Sequence, residues 1–140
     1  MRPIIVAFAT VAAYLPIAWY LDATYKQSPD PDVLRGPFTQ IGSHAYVTYR
    51  KIAGAKGDTS TEPRRATLEL TENGKALGPA HVLRSLVDTL GGSYIFLQTG
   101  ADPPVLIFST SDNSDPNTNG RVYRATDPDA RAPYEAQRRR

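Results

Sequence analysis

An apolar run that changes abruptly into a long polar loop constrains this chain more than any other feature. Val105–Phe108 (VLIF) is rich in β-formers and predicts a buried strand. From Ser109 to Gly120 the chain is an unbroken series of Ser, Thr, Asp, Asn, Pro and Gly, after which Arg121–Tyr123 resumes strand character. These polar residues cap, turn and bond their own backbone. The pattern therefore predicts an ordered loop between two strands.

Period-two patterns predict further strands. Residues 44–52 place Ala45, Val47 and Tyr49 on one face, and residues 66–70 alternate in the same way. Asn73-Gly74 is the strongest hairpin signal in the chain, and it predicts a short returning strand at 75–77. Strands are also predicted at 93–99, 105–110 and 120–125.

One stretch of this region has a helical period. Residues 79–90 repeat apolar side chains with helical spacing, Pro79 is suited to start a helix, and Gly91-Gly92 to end it. The apolar positions are Val82, Leu83, Leu86, Val87 and Leu90. Together these patterns predict a mainly β domain over residues 41–125, a small antiparallel β-sandwich or open barrel with one short helix.

The N-terminal stretch Pro3–Leu21 contains no charged residue. As a helix its 19 residues would span the roughly 30 Å hydrocarbon core of a bilayer. Trp19 and Tyr20 lie at its end, where aromatic rings favour the headgroup layer. We predict a single transmembrane anchor over residues 1–22. A cleaved signal peptide and a soluble core helix are the alternatives, but the run is long for a signal core and has no polar face.

Two details of the predicted anchor bear on partners and orientation. Ala9 and Ala13, with Ala12 between them, form a small-residue face on which another helix could pack, although alanine is also common in spans of any kind. Arg2 precedes the span, whereas cations and carboxylates are mixed after it. This favours a cytoplasmic N-terminus and an external domain.

The segments on either side of the β domain lack a core pattern. Residues 23–40 contain Pro29, Pro31 and Gly36-Pro37, which predict an extended juxtamembrane linker. Residues 126–140 end in Arg138-Arg139-Arg140 and predict a basic extended tail.

Charge and residue types argue against several function classes. The chain has 16 Lys and Arg against 14 Asp and Glu, and three of the cations are in the tail, so nucleic-acid binding is not predicted. Without cysteine there is no disulfide, thiol nucleophile or thiolate metal site. His44 and His81 lie outside any ligand or His–carboxylate pattern and are interpreted as hydrogen-bonding residues. No hydrolase or phosphate-loop motif occurs, so we predict neither catalysis nor a cofactor.

The polar loop carries candidate ligand or partner groups, which are Asp112, Asn113, Asp115, Asn117, Asn119 and Arg121. The series from Asp115 to Gly120 copies the first half of a calcium loop, but Thr126 replaces the bidentate carboxylate expected near the end. The pattern favours a loop of Asx turns, and no metal is predicted. The amides and carboxylates are also suited to sugar hydroxyls, with a tyrosine stacked beneath the ring.

Two segments resemble a small uncharacterised β module of bacterial proteins. They are Leu68–His81 (LELTENGKALGPAH) and Phe108–Arg121 (FSTSDNSDPNTNGR). The module sometimes occurs beside glycosyltransferase or methyltransferase domains of surface-polysaccharide systems, which implies a cell-envelope location and a glycan ligand. The resemblance covers about residues 42–124. The chain differs from the module at Ile95–Gln98, where the module has an aromatic His-Trp stretch, and at Asn117, where it usually has a basic residue.

These patterns leave two functions open. The favoured one is a single-span, non-catalytic accessory subunit whose helix, β domain and tail contact other integral membrane subunits. The alternative is a membrane-tethered glycan-binding module of the bacterial cell envelope. A membrane-anchored enzyme is the third and least favoured. In each case the expected location is the bacterial inner membrane, with the β domain in the periplasm.

Overall fold

The computed structural model describes residues 16–24, 29–49, 52 and 54–129. The chain divides into two compact units, residues 1–30 and 31–140. In the first unit, residues 16–24 form helix α1. Trp19 and Tyr20 on this helix are 75% and 65% exposed, and Ile17 and Leu21 are exposed beside them.

The predicted anchor lies mostly outside the described residues. Within the described part of the chain, no helix is both long and apolar enough to cross a bilayer. The packing positions Ala9, Ala12 and Ala13 precede residue 16 and are among the residues not described. The membrane span and its packing face therefore stay predictions.

The described residues of the second unit form two four-stranded antiparallel sheets and a short helix between β5 and β6. Sheet A has the strand order β1 (Val33–Leu34), β8 (Tyr123–Thr126), β4 (Glu69–Glu72) and β5 (Lys75–Ala76). Sheet B has the order β2 (Thr39–Gln40), β3 (Tyr46–Thr48), β7 (Val105–Phe108) and β6 (Tyr94–Leu97). The helix is α2 (Arg84–Val87). The predicted mainly β, sandwich-like fold with a short helix is confirmed.

The main core takes side chains from both sheets. Leu70 and Tyr123 from sheet A meet Phe96, Leu106 and Phe108 from sheet B, and each of the five is at most 2% exposed. The ring of Phe108 lies 5.2 Å from that of Phe38 and 5.4 Å from that of Tyr123. At these separations aromatic rings attract one another beyond the effect of burial alone.

Strands β3, β7 and β6 of sheet B have side chains packed on both faces. Ile95 of β6 and Ile107 of β7 form a second cluster with Val47 of β3 and with Val87 of α2. A strand covered on both sides has no solvent face on which polar residues are favoured. This explains why Val105–Phe108 is continuously apolar rather than alternating.

The segment predicted as a linker contributes two strands. Leu34 of β1 and Phe38, just before β2, are 5% and 6% exposed, and both belong to the main core. Because prolines and a glycine surround these two residues, the sequence shows no strand pattern that would predict their burial. At the other end of the domain, β8 continues to Thr126, and buried Asp127 accepts a hydrogen bond from Thr67 Oγ1 at 2.6 Å. The terminal arginines lie outside the described residues.

The predicted helix over 79–90 is reduced to a single turn. His81 has a φ of 58°, a left-handed conformation in which a helix cannot continue, and the Pro79 carbonyl accepts a bond from the Tyr94 N–H instead of a helical one. Of the apolar side chains in this stretch, Val87 alone is fully buried.

Candidate functional site

The polar loop connects the two sheets, because it leaves β7 of sheet B and enters β8 of sheet A. Its first residues are fixed to the domain rather than presented to solvent. The Ser109 hydroxyl donates to the Leu90 carbonyl at 2.8 Å, and the Thr110 hydroxyl donates to the Ser114 carbonyl at 2.7 Å. Both side chains are fully buried.

Arg121, just after the loop, forms hydrogen bonds to the beginning of the loop and to sheet A. Its guanidinium donates two parallel bonds to the Asp112 carboxylate, at 2.9 and 2.5 Å, and a third to Glu72 Oε1 at 3.1 Å. Glu72 also accepts a short hydrogen bond from the Ser111 hydroxyl and one from the Tyr123 hydroxyl at 3.1 Å. Planar Arg–carboxylate pairs of this kind are strong and directional.

The ionisation of this network follows from its contacts. Burial acts to raise the pKa of Glu72, but hydrogen bonds from Ser111 and Arg121 outweigh it and lower that pKa. Hydrogen bonds from Arg121 and Ser114 hold the pKa of Asp112 far below its usual range. Burial, with the nearby charge of Glu72, raises the pKa of Tyr123 to about 12. At neutral pH the network therefore holds two carboxylates, one guanidinium and a neutral phenol.

The loop amides are bonded within the domain as well. Asn117 accepts from the Phe38 N–H at 2.7 Å and donates to the Phe38 carbonyl at 3.0 Å. Asn119 donates to the Tyr123 hydroxyl at 2.8 Å and accepts from the Arg121 N–H at 3.0 Å. Asp115 accepts from the Asn117 N–H at 2.9 Å, closing an Asx turn.

Asn113 differs from its neighbours. Its backbone φ is 61°, its carbonyl lies 3.2 Å from Nδ1 of His44, and its side-chain Oδ1 is buried without a protein partner. The other five predicted ligand groups are all hydrogen-bonded: Asn117, Asn119 and Arg121 to residues outside the loop, Asp112 to Ser114 and Arg121, and Asp115 to the loop backbone. Among the described residues, no group of three His, Asp or Glu side chains is placed to hold a metal ion. The loop thus has the contacts of a structural connection between the sheets.

The segment around α2 exposes three leucines of the predicted helical repeat. Leu83, Leu86 and Leu90 are 69%, 43% and 40% exposed, whereas Val87 between them is completely buried. In this single helical turn Val87 packs against sheet B, whereas the three leucines are exposed to solvent. Exposed apolar side chains concentrated in one segment are typical of an interaction surface. We call Leu83, Leu86 and Leu90 the exposed leucines.

His81 and Asp58 form a second polar site that the sequence patterns miss. Asp58 is 1% exposed, and its Oδ2 lies 2.8 Å from Nδ1 of His81, while its Oδ1 accepts from the Ala66 N–H at 2.8 Å. The Asp58 backbone pairs with the edge of β6 through Phe96 and Gln98, which fixes its position. The two residues border a cavity of about 570 Å³, which we call the His81 pocket.

The partner of His81 lies 23 positions earlier, in a segment of Gly, Ser and Thr without a strand pattern. No local motif connects them, and only the pairing of residue 58 with the edge of β6 brings them together. The interpretation of His81 as a hydrogen-bonding residue is correct, but the partner is a buried carboxylate. An isolated acidic residue in a loop of Gly, Ser and Thr gives no sign of such burial.

No protein-family model, curated protein or solved structure matches the chain. Function must therefore be inferred from the contacts of the chain itself. The resemblance of residues 42–124 to an envelope β module stays a prediction.

Proposed function

We propose that this protein is a non-catalytic accessory subunit of a membrane protein complex in the bacterial inner membrane. An N-terminal helix anchors it, with the β domain on the periplasmic side. The β domain docks on a neighbouring integral membrane subunit through the exposed leucines. The observation that carries this proposal is the outward placement of Leu83, Leu86 and Leu90.

The exposed leucines would stabilise an interface by leaving water. Burying a leucine side chain contributes about 1.5–3 kcal/mol relative to leaving it in water. Their segment is held in place by Val87 beneath it and by Asp88, which accepts bonds from the N–H groups of His44 and Ala45 at 2.6 and 3.0 Å. The surface is therefore presented by a fixed backbone, which reduces the entropy lost on docking.

The N-terminal unit supports the same function. Residues 16–24 are helical, and their large apolar and aromatic side chains are exposed, as suits a helix that continues into a lipid or protein environment. The Ala9, Ala12 and Ala13 face would let a partner helix approach closely. The glycan-binding alternative has less support at the polar loop, because most of its candidate groups already bond within the domain.

The test is a pull-down of the full chain from native membranes in mild detergent, with mass spectrometry of the proteins that accompany it. We expect a stoichiometric set of integral membrane proteins. The variant Leu83→Gln with Leu86→Gln should lose them, because each side chain then presents an amide where an apolar contact is needed.

Val122→Gln is the matched control. Val122 is 49% exposed and apolar but lies outside the α2 segment, so its variant should retain the partners. Recovery of the wild-type chain alone, or equal loss in the leucine and Val122 variants, would refute the proposed docking.

A further inference from the structure

The His81 pocket combines an oriented imidazole with a cavity large enough for a small molecule. Its volume of about 570 Å³ lies within the range of ligand sites. His81 is held at a φ of 58°, a conformation that residues other than glycine adopt infrequently and that occurs often at functional sites. The side chain of His81 is 26% exposed, so the ring reaches solvent while its Nδ1 faces buried Asp58.

The buried carboxylate determines what the imidazole offers. An ionised carboxylate only accepts hydrogen bonds, so Nδ1 of His81 must carry the hydrogen that joins it to Asp58 Oδ2. Nε2, on the other side of the ring, has no hydrogen-bond partner among the described groups of the protein. The site therefore offers Nε2 of His81 for a hydrogen bond to a ligand.

The lining of the pocket narrows the class of ligand. Pro63, Val82 and Leu97 supply apolar wall, and the hydroxyl-bearing Thr59, Ser60 and Thr99, with the Gln98 amide, supply uncharged polar groups. No Lys or Arg is among the lining residues, so nothing there favours a phosphate or carboxylate. A sugar ring has an apolar face of C–H groups and a rim of hydroxyls that both donate and accept, which matches this combination.

We propose that the His81 pocket binds an uncharged saccharide ring, with one sugar hydroxyl hydrogen-bonded to Nε2 of His81 and the C–H face of the ring against the apolar wall. This site is separate from the polar loop, and it does not depend on the accessory-subunit function. Leu83 lines the pocket and is also one of the exposed leucines, so a saccharide and a docked partner would both contact this side chain.

The chain has only two histidines, which makes the site directly observable. The full chain, labelled with ¹⁵N-histidine and kept in a detergent without a sugar headgroup, should give one set of ring nitrogen signals for His81 and one for His44. Glucose, galactose, mannose and N-acetylglucosamine are the probes. We expect at least one to shift the His81 Nε2 signal saturably and to leave His44 unchanged, because His44 does not border the pocket.

Two variants separate binding from folding. His81→Asn removes Nε2, and asparagine tolerates a positive φ better than most residues, so the fold should survive while affinity falls about tenfold. Ser60→Trp, at an exposed position of the pocket lining, should block the ring without touching the Asp58–His81 bond. In that variant the His81 signals of the free protein should be unchanged and the sugar-induced shift should be lost.

The absence of any saturable shift with all four sugars would overturn the proposal, as would equal shifts at His81 and His44. A sugar that still binds a folded His81→Asn chain with unchanged affinity would overturn it too. None of these outcomes bears on the pull-down of membrane partners, so the two proposals fail separately.

Discussion

At the residue scale, Arg121 connects three parts of the domain that are distant in sequence. It pairs with Asp112 at the start of the loop and with Glu72 at the end of β4. Glu72 is 8% exposed, and its charge is tolerated in that position because Arg121, Ser111 and Tyr123 all donate to it. A buried carboxylate that loses its cation is strongly destabilising.

We therefore expect Arg121→Met to lower the free energy of unfolding by about 2–3 kcal/mol. Arg65→Met is the control, because the Arg65–Glu62 pair is exposed at both ends and such pairs contribute roughly 0–1 kcal/mol. Urea unfolding should be followed by near-ultraviolet circular dichroism of the buried tyrosines, since the single tryptophan, Trp19, lies in the other unit. Equal losses of unfolding free energy in the two variants would mean that the Arg121 network stabilises the domain no more than an exposed ion pair does.

A second substitution tests the mechanism of this loss. In the Arg121→Met background, Glu72→Gln should recover part of the stability, because a neutral amide costs less to bury than an unpaired carboxylate. No recovery would show that Arg121 acts through packing or through Asp112 rather than through the charge of Glu72.

At the scale of elements, the hairpin between β4 and β5 illustrates how a local signal determines a structure. Asn73 and Gly74 both have positive φ, 50° and 80°, as a tight hairpin turn of this type requires. The Asn73 side chain also accepts from the Val122 N–H at 2.9 Å, which joins the turn to the segment that enters β8.

Gly74→Ala should destabilise the domain by about 1 kcal/mol, because alanine is less stable than glycine at a positive φ. No heavy atom lies within 4 Å of the position that the new Cβ would occupy, so steric clash contributes nothing. Lys75→Ala, at the next and equally exposed position, should have almost no effect. The measurement is again the urea midpoint, and a Gly74→Ala chain as stable as the wild type would show that the turn accommodates a side chain without strain.

The sequence predicts those elements whose signals are local, such as this hairpin and the strands β6, β7 and β8. It fails where a residue's environment is set by distant parts of the chain. Leu34 and Phe38 are isolated apolar residues among prolines, yet they complete the core. Asp58 acquires its burial only from the pairing of its segment with β6, and the exposed leucines are displaced from the core because one turn of helix suffices to cover sheet B.

Contacts with distant residues also explain why most candidate ligand groups of the polar loop are bonded within the domain. The residue types of the loop correctly indicate Asx turns, but they cannot distinguish side chains that await a ligand from side chains that bond to one another. That distinction depends on Glu72, Phe38 and Tyr123, which the fold brings to the loop from other strands.

At the scale of the whole molecule, the proposed function requires that the apolar N-terminus insert into the bilayer and that the β domain lie outside the cytoplasm. The absence of cysteine makes this orientation easy to test, because a single introduced thiol is the only reactive one. Thr61 is exposed in the β domain and suits a Thr61→Cys substitution, whereas Arg2→Cys places the thiol before the predicted span.

In intact bacterial cells, a membrane-impermeant maleimide should label the Thr61→Cys chain and should reach the Arg2→Cys chain only after the cells are lysed. Both chains should remain with the membranes after alkaline carbonate extraction, because the proposed anchor would place the uncharged stretch from Pro3 to Leu21 in lipid. The reverse labelling pattern would place the β domain in the cytoplasm and remove the periplasmic part of the proposed function. Release by carbonate would remove the anchor itself, and the exposed leucines would then have to attach the protein to its partner without help from the membrane.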